Sequence, residues 1–172
     1  MNKIIDINAD LGEQITQHRD AQIMPYISSC NIACGGHTGD DLSIAKTINL
    51  ALDHNVAIGA HPSYPDKENF GRKVLTISHE KLFKSLTSQL LLIQYLCEEY
   101  GTELNHIKPH GALYNAAAKN KSLADLICRL VKKAAPKVKL YGPPGSAMES
   151  AAGQNKITFV PEAFADRQYE SD

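Results

Sequence analysis

The sequence predicts an α/β protein with parallel strands, of the (β/α) barrel type. Short β-rich runs alternate with longer helical patterns along the chain, which argues for a parallel sheet covered by helices. Six predicted strands with long connections fit either a doubly wound sheet or a barrel. The polar residues decide between them, because Asp10, His37, His61, His110 and Glu162 follow almost every strand. In a barrel all strand C-termini converge on one mouth, whereas distant strand ends of an open sheet cannot share a site.

The first strand is expected at residues 4–8 (IIDIN) and the second at 30–34 (CNIAC), ended by Gly35 and Gly36. Residues 40–54 fit a helix with Ile44, Ile48, Ala51 and Leu52 on one stripe. Residues 56–60 (VAIGA) form the third strand, followed by a Pro-, Gly- and Asp-rich loop through Arg72. Ser78 caps the clearest helix, with Leu82, Leu86, Leu90, Ile93, Cys97 and Tyr100 on its apolar face and Gly101 as its stop. A fourth strand covers 106–108, and a helix over 122–134 carries Leu123, Ile127, Leu130 and Val131. The fifth strand is 138–141. Ser146 and Glu149 then have capping-box spacing, and residues 157–160 are the sixth strand. With no fixed-period repeat and no low-complexity linker, one barrel domain is expected over residues 1–172.

Composition narrows the function classes. Apolar residues are 43% and charged residues 22% of 172, ordinary globular usage for a chain that buries roughly two-thirds of its unfolded surface. Lys plus Arg is 18 against 19 Asp plus Glu, a net charge of −1, so an electrostatic grip on nucleic acid or an anionic membrane is not expected. The basic cluster Lys132, Lys133, Lys137 and Lys139 reads as a solvated helix end. Asp6 and Asp10 interrupt any signal-peptide core, and the apolar stretch 86–97, broken by Ser88, Gln89 and Gln94, is too short to cross a bilayer. The four cysteines contain no CxxC pair, against a zinc ribbon or redox dithiol and in favour of reduced buried thiols in a cytoplasmic protein.

Several fragments have the residue types that chemistry needs. NADLGE places Asp10 and Glu13 beyond the first strand, where an aspartate ligates a divalent cation, acts as a general base, or simply caps a turn before Gly12. CGGHTGD holds His37 between glycines that admit a ligand close to the backbone or serve a tight turn. GAHP and KPHG are more specific, each setting a histidine (His61, His110) at a strand end beside a proline. With Asp10 they form a His/His/Asp set suited to a divalent metal, and Lys108 beside them suits a carboxylate or phosphate. GPPGS at 142–146 reads as a capped turn in preference to an anion cradle. His18, His54, His79 and His106 sit in polar contexts and receive no role, and Cys30 and Cys34 belong to the core.

Taken together, NADLGE, SSCNIACGGHTGD, AIGAHPSYPDKENFGRK, HIKPHGALYN and PEAFADRQY resemble the LamB/YcsF family, whose members are described as the A subunit of 5-oxoprolinase. The blocks follow family order and span nearly the whole chain. The resemblance implies a TIM-like (β/α) barrel related to the glycoside hydrolase/deacetylase superfamily. It also implies ATP-dependent opening of 5-oxo-L-proline to L-glutamate together with two partner subunits. Within such a subunit Asp10, Glu13, His61, Lys108 and His110 are expected to be catalytic, on their shared location at strand ends, and Asn8, His37, Tyr114, Glu162, Asp166 and Arg167 to be substrate-binding. By superfamily analogy Asp10, His61 and His110 are the positions for a divalent metal.

Three departures from the family pattern stand out. Gly36 and Thr38 replace the Phe and Ala of CGFHAGD, the stretch 14–18 is shortened, and the chain ends at Asp172 before the family's final strand with its HGD-type motif. The expected barrel therefore lacks its last strand and helix, leaving an unpaired edge open to self-association. The mechanism implied is phosphorylation of the lactam oxygen followed by water attack. Lys108 and Arg167 would bind anionic groups, Asp10 or Glu13 would position the water, and His61 and His110 would orient substrate or ion. Two rivals follow from the same residues: a self-sufficient metal-dependent deacetylase or amidohydrolase, and a truncated non-catalytic chain that binds a ligand or partner.

Overall fold

Polar and apolar residues alternate along the strands, and that period of two decides the architecture. The computed structural model describes residues 5–13 and 18–168. Its six strands are β1 (Asn8–Leu11), β2 (Ser29–Ala33), β3 (Ala57–His61), β4 (His106–Ile107), β5 (Lys139–Gly142) and β6 (Phe159–Pro161). All five neighbouring pairs are parallel, and spatial order equals sequence order from β1 to β6. Such an order requires a return crossover after every strand. Helices α2 (Asp41–Asp53), α3 (His79–Glu99), α4 (Gly111–Lys119), α5 (Lys121–Ala134) and α6 (Ala147–Asn155) supply most of them, with a short α1 (His18–Ile23) before β2.

The sheet curls. In a flat sheet β1 and β4 would stand about 14 Å apart, three strand spacings. Instead Asn8 of β1 lies 3.4 Å from His106 of β4, and Tyr141 of β5 donates from its hydroxyl to Asp6 just ahead of β1 at 2.9 Å. The result is a six-stranded parallel half-barrel. Its outer face carries Leu11, Cys30, Ile32, Ile58, Ala60, Ile107 and Leu140, all buried beneath the helices. The inner face is polar: Asn8, Asp10, Asn31, His61, His106, Lys108 and Tyr141 meet there through hydrogen bonds and ion pairs.

Helix α3 buries Leu82, Leu86, Leu90, Ile93 and Cys97 against that outer layer, each apolar side chain stabilising by about 1.5–3 kcal/mol. Ser78 caps it as expected, accepting from Lys81 N, but Tyr100 is the C-cap and is 39% exposed, not part of the face. Leu52 is likewise 39% exposed on α2, whose buried row of Ile44, Ile48 and Ala51 is completed by Thr47 on the opposite flank. Helix α5 buries Leu123, Ile127, Leu130 and Val131, and Lys132 and Lys133 lie in its last turn. Ser146 caps α6, while Glu149 reaches Gly145 N and not the backbone of Ser146, so GPPGS is a capped turn.

Two expectations need correction. The first strand begins at Asn8, not at residue 4, and Ile5 and Ile7 are 82% and 54% exposed, because register with β2 starts at Asn8 opposite Ser29. Helix α4 lies where the sequence predicts no element, since its small residues make no long apolar stripe, yet it buries Ala112, Leu113, Tyr114 and Ala117. Residue 4, the shortened stretch at 14–17 and the chain end at 169–172 lie outside the described residues. Among the described residues no helix is long and apolar enough to cross a membrane.

Candidate active site

Parallel strands deliver their C-terminal ends to one rim, and the rim of this half-barrel is where the titratable groups gather. Asp10 ends the inward face of β1. Its Oδ1 accepts from Asn31 Nδ2 at 2.7 Å and from Lys108 Nζ at 3.3 Å, and its Oδ2 lies 3.4 Å from His61 Nε2. Burial alone would raise the Asp10 pKa. The neighbouring His61 and Lys108 and the bond from Asn31 outweigh it and hold the carboxyl well below the usual range. Lys108 continues β4 and is clamped between Asp10 and Glu162, the latter at 3.2 Å, so one buried ammonium joins β1 to the segment after β6.

Glu13 meets three histidines. Its Oε1 lies 2.9 Å from His37 Nε2, 3.4 Å from His110 Nδ1 and 3.9 Å from His61 Nε2. Burial opposes its ionisation, but the His37 bond and the neighbouring imidazoles keep its pKa below the usual value. His37 and His110 stack face to face at 3.7 Å, with His61 edge-on to both. Burial pushes His37 down, and burial with the adjacent His61 and His37 pushes His110 down to about 4.

The hydrogen bonds fix the tautomers. A backbone carbonyl only accepts, so His61 Nδ1 donates to Lys108 O at 2.7 Å and His110 Nε2 donates to Phe70 O at 2.9 Å. With both rings in the neutral form, the remaining nitrogens, His61 Nε2 and His110 Nδ1, are lone-pair acceptors, and they lie 3.0 Å apart. Two lone pairs facing each other beside two carboxylates call for a cation between them, a proton or a metal ion. Separations of 3.0 and 3.4 Å are those of ligands sharing one ion at about 2.1 Å. Glu13, His37 and His110 bring another set of three ligand atoms within 4.8 Å of one another in the same cluster. His37 Nδ1 is buried and has no partner among the described residues.

Beside the cluster opens a cavity of about 380 Å³, lined by Asp10, His61, Arg72, Lys108, Tyr114 and Arg167 among others. Phe164 stands in its wall, with the Arg167 guanidinium 3.8 Å from the ring centroid and Tyr114 edge-on at 5.9 Å.

Residues 5–172 match the LamB/YcsF family. The chain is 42% identical over 172 residues to a Bacillus cereus protein named as the A subunit of 5-oxoprolinase, covering 98% of this chain and 68% of that one. It is 44% identical over 170 residues to the Histophilus somni protein of the same name, with 99% and 68% covered. The chain belongs to the LamB/YcsF family. Its fold superposes on the crystal structure of the lactam utilization protein from Thermus thermophilus with a TM-score of 0.92 at 37% identity, covering 96% of this chain and 68% of that one.

Within this LamB/YcsF chain the structure draws together Asp10, Glu13, His37, His61, Lys108, His110 and Glu162, and sets Tyr114 and Arg167 in the adjoining cavity. Asn8 lies lower in the half-barrel, its amide engaged with Ser29 and Asn31. Asp166 is 84% exposed in its side chain and approaches Arg167 at 4.0 Å. The Gly36 departure from the family pattern has a packing counterpart: a Cβ there would fall 2.3 Å from Ser63 Oγ and 2.5 Å from Gln89 Oε1. Ser63 and Gln89 exchange two hydrogen bonds in that space, at 2.9 and 3.0 Å.

Sequence reasoning missed four residues. His106, read as a polar-context histidine, is fully buried, stacked on Tyr141 at 4.1 Å and bonded to Asn31 at 2.7 Å. Its position two residues before Lys108 on one strand was the available signal. Asn31 likewise alternates with Cys30 and Ile32 and so faces inward. Phe70 and Arg72 lie in a loop where no periodicity applies.

Proposed function

We propose that the chain is the subunit of 5-oxoprolinase that opens the lactam of 5-oxo-L-proline to give L-glutamate. The observation that carries this reading is the rim cluster, in which two ionised carboxylates and three imidazoles converge beside a cavity of small-molecule size. The names of the relatives and of the superposed lactam utilization protein support it. ATP as co-substrate, two partner subunits and a cytoplasmic location belong to the same proposal, the last supported by four buried free thiols. So does the larger TIM-like barrel of the glycoside hydrolase/deacetylase type, of which the described residues supply six strands.

On this reading Asp10 or Glu13, both held ionised, takes a proton from water as the water oxygen adds to the lactam carbonyl carbon. The C–N bond breaks, and the ring nitrogen leaves with that proton as the amine; with the lactam oxygen phosphorylated by ATP the product is an acyl phosphate, which a second water hydrolyses to L-glutamate and phosphate. Glu162 Oε1, buried and without a partner among the described residues, is an acceptor for the lactam N–H. Tyr114 and Phe164 exclude water from one wall, and Arg167 meets an anionic group. The donor set of Asp10, His61 and His110, with Glu13 and His37 beside it, fits a divalent ion, which would polarise the lactam oxygen.

The test is glutamate formation from 5-oxoproline and ATP by this chain mixed with its two partner subunits, with omission of this chain as control. Glutamate that appears only with the chain is the expected result. Glutamate formed equally without it refutes the proposal, and hydrolysis by the chain alone without ATP transfers it to a self-sufficient metal-dependent amidohydrolase.

A further inference from the structure

The loop ahead of α3 holds Arg72 in a built position. Phe70 and Gly71 are consecutive left-handed residues (φ 53 and 64), a conformation that a side chain with a Cβ disfavours. Three contacts hold them there. Phe70 O accepts from His110 Nε2 at 2.9 Å, Gly71 N donates to Asp66 O at 2.8 Å, and Gly71 O accepts from Ala112 N at 3.0 Å. A Cβ on Gly71 would sit 2.9 Å from both His110 Cδ2 and His37 Cβ, so glycine lets the backbone run against the histidine stack. The next residue is thereby fixed at the wall of the 380 Å³ cavity.

Charge at that wall is uneven. Lys108 is neutralised by two carboxylates, and Arg167 has Asp166 at 4.0 Å. Arg72 has no carboxylate within 4.0 Å among the described residues, and its guanidinium lies 5.3 Å from the Phe70 ring centroid. Helix α4 opens onto the same cavity through Gly111 and Ala112 with no acidic residue in its first turn. Arg72 and Arg167 therefore line a cavity whose carboxylate Asp10 already faces Lys108 and His61.

We infer that Arg72 is a specificity-determining residue that binds the carboxylate of the substrate, with Arg167 as the second guanidinium of the clamp. This rests on the 5-oxoprolinase reading and extends it. A guanidinium offers two parallel N–H groups and a full positive charge to a carboxylate, so an acid is selected over its neutral amide. Recognition at Arg72 is separate from the chemistry at Asp10, Glu13 and the histidines.

The experiment titrates this chain with L-5-oxoproline and with its neutral carboxamide, in the wild type, Arg72→Ala, Arg72→Lys and Arg167→Ala. Arg72 is exposed, so an unchanged thermal midpoint checks that the variants fold. The wild type is expected to prefer the acid. Arg72→Ala weakens acid binding about 10- to 100-fold with amide binding unchanged, as loss of a charge-assisted pair predicts. Arg72→Lys restores part of it, and Arg167→Ala loses less than Arg72→Ala. Equal binding of acid and amide by the wild type, or undiminished acid binding in Arg72→Ala, overturns the inference while leaving the lactam reading intact. Failure of the reconstituted complex to make glutamate would count against that reading instead.

Discussion

Asn31 tethers Asp10 from the neighbouring strand, its Nδ2 lying 2.7 Å from the Asp10 Oδ1. The amide cannot turn, because His106 Nε2 lies 2.7 Å from its Oδ1 on the other side, and Asn31 is wholly buried. A carboxylate at the rim is thus aimed by a side chain at mid-depth, itself aimed by a histidine two strands away.

That arrangement predicts the behaviour of Asn31 variants. Asn31→Ala removes a hydrogen bond to a charged group, a contribution of about 1.5–3 kcal/mol, and lowers turnover of the reconstituted enzyme about 10- to 100-fold. Asn31→Asp sets a second carboxylate against Asp10 and costs more. Steady-state rates with 5-oxoproline check this, and wild-type turnover in Asn31→Asp would show that Asn31 does not position Asp10.

The facing lone pairs of His61 and His110 predict a bound cation. After dialysis against a divalent metal, the wild type retains about one equivalent per chain, whereas His61→Ala and His110→Ala retain far less. Elemental analysis reads the stoichiometry. A wild type that holds no metal under those conditions assigns the space between the rings to a shared proton.

Acid stability depends on the buried histidines. Burial pushes His106 down to about 3, against the opposing pull of Asp6. Unfolded, the same ring titrates near 6.5. As pH falls below about 6.5 the unfolded chain takes up a proton that the folded chain refuses until about pH 3. The stability present above pH 6.5 is therefore lost on acidification, at up to about 1.4 kcal/mol per pH unit from this residue. His110, at about 4, acts in the same direction. Urea titrations between pH 7 and pH 4 should show a shallower decline for His106→Gln, and an identical decline would mean that His106 titrates normally.

Gly59 makes room for His106. A Cβ at Gly59 would lie 2.2 Å from the ring's Nε2, so Gly59→Ala overpacks the interior and destabilises by about 1–3 kcal/mol. The clash vanishes when the ring is removed, so Gly59→Ala with His106→Ala loses less than the sum of the single variants. A double-mutant cycle in denaturant reads the coupling, and strict additivity would place the ring elsewhere.

The order of strands and helices was legible because it is written in local periodicity. The apolar rows Leu82, Leu86, Leu90, Ile93 and Leu123, Ile127, Leu130, Val131 state both helix and buried face. Residues of chemical type at strand ends were legible for the same reason, since parallel strands send their C-termini to one rim. The start of β1 was not, because IIDIN and NADL both alternate, and pairing of Asn8 with Ser29 selects the second. Helix α4 escaped because small residues mark no stripe until neighbouring helices cover them.

The sequence by itself determined a parallel α/β chain, its family blocks and a set of histidines and carboxylates with one rim in common. The curl of the sheet decided the rest. Curling brings β1 within hydrogen-bonding reach of β4 and lets Lys108 span from Asp10 to Glu162. It turns His106 from a polar-context residue into the buried support of Asn31, and it sets Arg72 beside a cavity whose wall residues come from distant parts of the chain. Contacts between residues 98 positions apart depend on how the layers close, and local alternation holds no record of that closure.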